Sequence, residues 1–410
     1  MRNLLILLSL PLMGILTSCG ATVKENDFTE TGLETAEVQL KNQLAAVPEP
    51  TEYPRTTKDG KLKTTKLNDW TEGFYPGCLW YLYEWNKKEF WKQAAIKWTE
   101  ALEPMKNTRN HHDVGFLMYC SFGNAYRLTG NEKYKEVLIA SANSLCTRYH
   151  DAVGCIESWN KRMAWNGKDE WLYPVIIDNM MNLELLYWAS KATGDPKYAT
   201  IATNHARNTA KNQFREDYSN YHVVNYDEHT GEVLHKATCQ GFSDNSAWAR
   251  GQAWAIYGFT MVYRETKDPF FLDMALKTAE FWLSHPNMPE DSIPYWDFNA
   301  GQPGYTPDWE YDPAQFATVP RDASAAAITA SAFLELANYV EDGDRYHKAA
   351  EHILKSLSSP AYLAAPGSNC NFVLMHSVGS IPHGNEIDVP LVYADYYYLE
   401  ALLRYRKSDI

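Results

Sequence analysis

The 410-residue chain lacks most of the short signatures by which enzyme classes announce themselves. It has no GxSxG nucleophile elbow, no phosphate-cradling P-loop and no clear dinucleotide fingerprint. Those absences argue against the common serine hydrolases, nucleotide hydrolases and NAD- or FAD-linked oxidoreductases. Its cysteines never fall in a CxxC spacing, so a structural zinc site is not expected. His111 and His112 are adjacent and would point to different faces of a helix. No further histidine stands at ligand spacing from them, so no metal is expected there either. Basic residues are in deficit, with 38 Lys and Arg against 51 Asp and Glu, a formal net charge of -13. That balance makes nucleic acid an unsuitable partner. Low-complexity linkers and composition breaks are also missing from Phe28 onward, which points to one domain over residues 28–410.

Long apolar runs are equally scarce. The one at Leu4–Leu16 follows Arg2, is too short to span a bilayer stably, and ends in Leu16-Thr17-Ser18-Cys19. This resembles a bacterial lipobox. The expectation is a signal peptide over 1–18, lipidation of Cys19, and a tether over 19–27 holding the protein to a membrane of the cell envelope. Gly20–Asp27 carries no dense acidic run, which favours a periplasm-facing anchor. The six later cysteines are expected to be mostly buried thiols acting as small hydrophobes. Cys146 and Cys155 are the closest pair should a disulfide form.

What the chain has in quantity is aromatic side chains, with 14 Trp and 27 Tyr. Rings stack on sugar faces, although most of them serve helix packing. It also has a recurring pattern: an acidic residue, a helix of small and apolar residues, a turn, and a more amphipathic helix. The acidic openers are Glu72, Asp113, Asp178, Asp244, Asp322 and Asp388. The turns are TGNEKY at Thr129, TGDPKY at Thr193, TKDPFF at Thr266 and EDGDRY at Glu341, with NKKEF at Asn86 a weaker copy. In each, Gly or Asp stops one helix and Asp, Asn or Pro starts the next. A first amphipathic helix is expected over Glu30–Ala46. Six buried helices alternating with amphipathic ones predict an all-α fold, an (α/α)6 barrel of six helical hairpins, because such repeats bury a continuous core only when stacked or closed. Its inner helices would gather their N-termini, and their positive dipole ends, at one mouth. That end favours an anionic ligand, even on an acidic protein. Residues 221–235 (YHVVNYDEHTGEVLH) read as a small β-hairpin, and Trp296–Pro320 as a long loop of the kind that walls a site.

The stretch Trp171–Ala189 (WLYPVIIDNMMNLELLYWA) stands out as a helix apolar almost all round, with Asp178, Asn179 and Asn182 on one stripe. A polar stripe on a buried helix faces an internal cavity; the plainer alternative is a capping Asp with two core amides. Asp113 opens the preceding inner helix. Two carboxyls across a small, partly dry cavity have their pKa values pushed apart, and one can stay protonated as a general acid. That suits chemistry on glycosidic or enol ether bonds. Arg250, in SAWARGQAW, lies on an otherwise apolar helix and needs an anionic partner: either Asp244 or another opener, or a substrate carboxylate held in its fork.

Taken together, WTEGFYPGCLW, HHDVGF, IIDNMMNLELLYWAS, YHVV, QGFSDNSAWARGQAWAIYG, DASAAAITASAFLEL and HSVGSIPHGNEIDVPLVYADYYYLEALLR resemble the unsaturated glucuronyl hydrolases, glycoside hydrolase family 88, from about Trp70 to Arg404. The resemblance implies an (α/α)6 barrel. It implies that Asp178 is the proton donor and water activator, assisted by Asp113. It further implies that His222 and Gln240 contact substrate near the reacting end. Arg250, Ser377 and Ser380 would face the uronate carboxylate, and Trp70, Trp165 and Trp254 would line the pocket. The implied substrate is an anionic oligosaccharide of glycosaminoglycan type, cut by a lyase and ending in a 4,5-unsaturated uronic acid. Hydration of its C4=C5 enol ether needs no cofactor. Alternatives are a related unsaturated rhamnogalacturonyl hydrolase, disfavoured by the C-terminal motif, and a non-catalytic glycan-binding lipoprotein.

Overall fold

Turn chemistry sets the rhythm of the chain. The computed structural model describes residues 27–408, so the expected signal peptide, Cys19 and all but the end of the tether lie outside the described residues. Among the described residues are twelve α-helices: α1 (Phe28–Ala46), α2 (Phe74–Asn86), α3 (Glu89–Glu100), α4 (Asn124–Thr129), α5 (Glu132–Cys146), α6 (Leu183–Thr193), α7 (Lys197–Asn212), α8 (Ala249–Thr266), α9 (Pro269–Ser284), α10 (Ala323–Leu336), α11 (Gly343–Leu357) and α12 (Val392–Ser408). The hairpin turns carry the expected punctuation. Gly130 and Gly194 end α4 and α6 in the left-handed region (φ 66° and 77°), where a Cβ is disfavoured. Asn131 and Asp268 then cap α5 and α9 by accepting the N–H of Lys133 and Phe270.

The even-numbered helices form an inner ring. Each packs on the next, directly or through the short helical segment that leads into it, and α12 closes back onto α2. The inner helices run parallel, as their side-chain contacts demonstrate. Near their starts, Arg250 of α8 pairs with Asp322 at the head of α10 and lies over Tyr393 of α12. Near their ends, Arg264 of α8 pairs with Glu335 of α10, and Arg127 of α4 and Lys407 of α12 both reach Glu84 of α2. One contiguous apolar core runs from Leu33 to Tyr405. The architecture is the (α/α)6 barrel.

Close approach inside the ring needs glycine. A Cβ on Gly73 would lie 2.2 Å from the Phe116 carbonyl oxygen and 2.4 Å from that of Leu117. These are backbone atoms that cannot swing aside. Residues 115–123, facing this contact, form a π-helical segment that runs directly into α4.

Two expectations are corrected and one, the hairpin, is extended. Trp171–Ala189 is not one helix. Tyr173–Ile176 is a strand antiparallel to Val223–Tyr226, with Ile176 opposite Val223; residues 177–182 form a 3-10 turn; and α6 begins only at Leu183. The β-branched run Val175-Ile176-Ile177 favours extended backbone, and Pro174 is tolerated because this strand lies at the sheet edge. The hairpin expected at 221–235 is accordingly the rest of a three-stranded sheet, its arms Val223–Tyr226 and Val233–Ala237. The acidic openers are not a uniform set. Asp322 caps α10, accepting from the N–H groups of Ser324 and Ala325, whereas Asp388 is an exposed residue of the strand Asn385–Val389, paired with His376 at 2.6 Å. The six cysteines among the described residues are free, so Cys146 and Cys155 are not bridged.

Gly73→Ala is expected to destabilise the fold by about 2 kcal/mol through overpacking against fixed backbone. Urea unfolding of the two proteins measures it. Equal midpoints would show that the contact between α2 and the π-helical segment yields without cost.

Candidate active site

Asp178 owes its position to the break in its own segment. The strand hands over to the 3-10 turn at Ile177, whose N–H donates to the His222 carbonyl. The two asparagines that follow turn to buried backbone and to the His112 ring rather than to a cavity. Asn179 donates to the Ile156 carbonyl at 2.8 Å, and Asn182 accepts from the Phe116 N–H at 3.0 Å. Both amides serve buried backbone, which leaves the carboxyl of Asp178 beside His222, with 9% of the residue exposed. Asp113 stands at the head of the π-helical segment, 8% exposed.

Each aspartate has a histidine whose tautomer is set from behind. Asn182 uses its carbonyl oxygen on Phe116, so its NH2 group faces His112 Nδ1 at 3.4 Å. His112 Nδ1 is thus an acceptor, and Nε2 carries the proton, 3.3 Å from Asp113 Oδ1. His222 Nδ1 accepts from the backbone N–H groups of Cys239 and Gln240, both at 3.1 Å. Its Nε2–H therefore faces Asp178 Oδ2, 3.6 Å away. Burial pushes His112 down to about 4 and His222 well below the ordinary histidine value, so both are neutral donors near pH 7.

The two carboxyls are driven apart. Burial pushes Asp178 up to about 7, and the charge of Asp113 adds to the rise. Arg250, the backbone N–H of Asp178 itself and the Trp254 indole oppose it without cancelling it. Burial also acts on Asp113, but His112, His111 and Arg148 outweigh it and hold that carboxyl below its usual range. Near neutrality Asp113 is therefore a carboxylate while Asp178 still keeps a share of its proton. His222 Nε2 and the indole N–H of Trp248 are buried without a hydrogen-bond partner, and Asp178 Oδ2 lies 3.6 Å from His222 Nε2, beyond hydrogen-bond reach. Such a set of unmet polar atoms marks a place built for a polar ligand.

Arg250 is engaged in an ion pair with one of the acidic openers, Asp322. It is 1% exposed, 3.0 Å from Asp322, and donates to the carbonyl oxygens of Val378 and Gly379 and, at 3.4 Å, to Gln240 Oε1. Its terminal nitrogens are taken by protein acceptors, so it presents no open fork. Its charge still acts on Asp178. Ser377 and Ser380 flank the carbonyls that hold it. Ser377 is wholly buried with an unpartnered hydroxyl, and Ser380 shares a hydrogen bond with His383 Nδ1 at 2.6 Å. Gln240 is half-buried between His222 and Arg250. Trp254 is fully buried beneath Asp178, against Phe116 and Tyr397. Trp70 is half-exposed on Phe116 and Tyr393. Trp165 is half-exposed, its indole donating to the Thr238 carbonyl and its ring 5.0 Å from His383.

Sequence reasoning passed over Trp248 and chose Trp165 over its neighbour Trp159. Trp248 lies in SAWARGQAW, two residues before Arg250, sandwiched by the guanidinium (4.5 Å) and the His222 ring (4.5 Å). Trp159 bridges His111 through its backbone and meets His222 edge-on at 6.1 Å. The crowding of aromatics around SAWARGQAW was the available signal for the first; nothing local marks the second.

Residues 48–293 match the family described as Glycosyl Hydrolase Family 88. The chain is 44% identical over 412 residues to an unsaturated glucuronyl hydrolase of Formosa agariphila, with 98% of each covered. Among solved structures it is similar to an unsaturated glucuronyl hydrolase specific for heparin, with a TM-score of 0.86, 46% identity, and coverage of 93% of this chain and 98% of that one. It is also similar to a mutant unsaturated glucuronyl hydrolase from Streptococcus agalactiae complexed with dGlcA-GalNAc6S, with a TM-score of 0.75, 33% identity, and coverage of 93% and 92%.

The raised Asp178 carboxyl has a signature in stability. The unfolded chain releases this proton near the ordinary aspartate value of 3.8 and the folded chain near 7. The stabilisation is therefore complete below about pH 4 and is lost as pH rises through about 7. Asp178→Asn removes that dependence, so its unfolding free energy falls less steeply between about pH 4.5 and 6.5, by about 1.4 kcal/mol per pH unit. Denaturant titrations across this range measure it. Parallel slopes would mean that Asp178 titrates as an ordinary carboxylate.

Proposed function

The chain belongs to Glycosyl Hydrolase Family 88 and is a glycosidase, and from that premise we propose that it removes the terminal 4,5-unsaturated uronic acid from lyase-generated, glycosaminoglycan-type oligosaccharides. The observation that carries this reading is a pair of buried aspartates, each beside a buried neutral histidine and close enough that the charge of Asp113 acts on Asp178, with Asp178 held up to about 7 and Asp113 held down. An enol ether is activated by protonation at carbon, and that step needs an acid still protonated at working pH.

In this reading the Asp178 carboxyl gives its proton to C4. The π electrons of C4=C5 form the new C–H bond and leave a cation at C5, shared with the ring oxygen. Ionised Asp113 stabilises the developing positive charge. Asp178, now a carboxylate, takes a proton from water as the water oxygen bonds to C5. The resulting hemiketal opens and releases the next sugar. One water is consumed, and the acid regains its proton. His222, neutral and with Nε2–H turned to Asp178, orients the carboxyl through both half-reactions and gives it no competing charge. Arg250, tied to Asp322 and two carbonyls, contributes a fixed positive field toward the uronate rather than a direct fork. Trp70 and Trp165 supply the rings against which sugars pack, Trp254 lies beneath Asp178 as the floor, and Gln240, Ser377 and Ser380 line the side that holds Arg250. Cys19 is proposed as the lipid-bearing residue of an envelope-anchored, periplasm-facing protein, supported by the Leu16-Thr17-Ser18-Cys19 run.

Consumption of unsaturated disaccharides is followed by loss of the alkene's ultraviolet absorbance. Asp178→Asn is expected to lower kcat by about 10³-fold or more while leaving disaccharide binding within a few-fold. Wild-type kcat/KM is expected to fall as pH rises through about 7, because the acid form of Asp178 disappears. Cleavage of a saturated glycoside with no attack on the alkene would contradict the hydration route. Unimpaired function in Asp178→Asn would favour a binding protein. Cys19→Ser is expected to move the protein from the membrane to the soluble fraction; continued membrane attachment would remove the anchor proposal.

A further inference from the structure

The loop between Glu157 and Leu172 carries three cations with different fates. Lys161 pairs with Glu170 at 3.1 Å, and Lys168 with Asp308 at 3.3 Å. Arg162 is exposed, and among the described residues no carboxylate lies within ion-pair distance of it. Its guanidinium rests over the Trp159 indole, 4.4 Å from the ring centroid, and 5.5 Å from that of Trp171. The two indoles are themselves stacked at 5.6 Å. An arginine laid on aromatic faces keeps its planar donor edge available for an oxyanion, and its side chain is already ordered.

The place it occupies is the rim of the proposed site. Trp159, on which it rests, bridges His111 and meets the ring of His222, so it touches the supports of both Asp113 and Asp178. The positive charge of Arg162 is felt at His222, Cys239 and His383. Three residues along, Trp165 offers a half-exposed indole packed on His383. Arg162 also meets the Cys239 thiol, a neutral partner that leaves its charge unbalanced, so the rim combines an aromatic plane suited to a sugar face with a cation that no carboxylate neutralises. The buried Arg250 cannot fill this role, because its terminal nitrogens are bound to Asp322, Val378, Gly379 and Gln240.

We propose that Arg162 is a specificity-determining residue that binds an oxyanion of the substrate, a sulfate on the leaving sugar or the uronate carboxylate, while that substrate packs on Trp165. The inference rests on the hydrolase reading above. The interaction is a charge-assisted, bidentate contact at an exposed rim, so it acts on binding more than on the chemical step.

The test compares wild type, Arg162→Gln and Arg162→Lys on two unsaturated disaccharides, one unsulfated and one bearing a sulfate on the leaving sugar. If wild type consumes neither, the hydrolase reading fails and Arg162 is not at issue. If it consumes them, Arg162→Gln is expected to raise KM about tenfold on an anion-recognising substrate, with kcat held within about twofold. Arg162→Lys is expected to recover only part of the loss, because an ammonium lacks the fork. The wild-type KM is also expected to rise with salt more steeply than that of Arg162→Gln. A rise confined to the sulfated disaccharide assigns the sulfate, and an equal rise on both assigns the carboxylate. Unchanged KM on both in a variant of unchanged melting temperature overturns the proposal. A fall in kcat accompanied by a lowered melting temperature also overturns it, by giving Arg162 a structural role on Trp159.

Discussion

The account depends on taking one carboxyl out of water without giving it a close cationic partner. Asp178 is buried to the point where its charged form is costly, and the cation nearest in effect, Arg250, is committed to Asp322 and to two backbone carbonyls. Had Arg250 been free to swing onto Asp178, the pair would have formed a salt bridge and the proton would have been lost. Holding the arginine back lets burial and the charge of Asp113 prevail. Breaking that hold is expensive, because an uncompensated buried charge costs several kcal/mol. The strand Ser377–Ser380 and the head of α10 are thus part of the acid's tuning although neither contributes a reacting atom.

The barrel provides this arrangement through its polarity. Parallel inner helices bring their beginnings to one mouth, so residues far apart in the chain meet there. Asp113 heads the second inner element, Asp178 the third, Arg250 lies in the first turn of the fourth, and Asp322 caps the fifth. At the opposite end, carboxylates and arginines of α2, α4, α8, α10 and α12 pair with one another. The two ends differ in kind. The far end neutralises its charges internally around a cavity lined by Tyr81, Glu84, Glu184, Tyr257 and Arg404, while the aspartate end leaves His222 Nε2 and the Trp248 indole N–H unmet. Two neutral histidines, each with its tautomer determined by a buried amide or by backbone N–H groups, complete the aspartate end without adding charge.

Much of this was legible in the chain. The hairpin rhythm was readable because turn residues act locally: Gly130, Gly194, Asn131 and Asp268 do what their chemistry demands wherever they stand. Asp113 and Asp178 were readable as a pair because each stood at the start of a buried segment. What was lost depended on distant partners. Trp171–Ala189 has helical composition, but its first residues are captured by Val223–Tyr226, a strand nearly fifty residues on. Asp388 looked like a helix opener and instead pairs with His376, because α12 starts only at Val392. The acceptors that occupy Arg250 include backbone carbonyls of Val378 and Gly379, which no pattern of side chains displays. Arg162 was overlooked for a related reason: an exposed arginine is unremarkable until its neighbouring lysines are found paired with carboxylates and it is found on an indole instead.

The most direct test is a titration of the Asp178 carboxyl itself, by carbon-13 NMR of labelled aspartate with Asp178→Asn as the assignment control, repeated in Asp113→Asn. The account predicts a midpoint near 7 in the wild type and a lower one once the Asp113 charge is removed. A midpoint near 4 in both proteins would contradict it, because no proton would then remain on Asp178 to transfer at working pH.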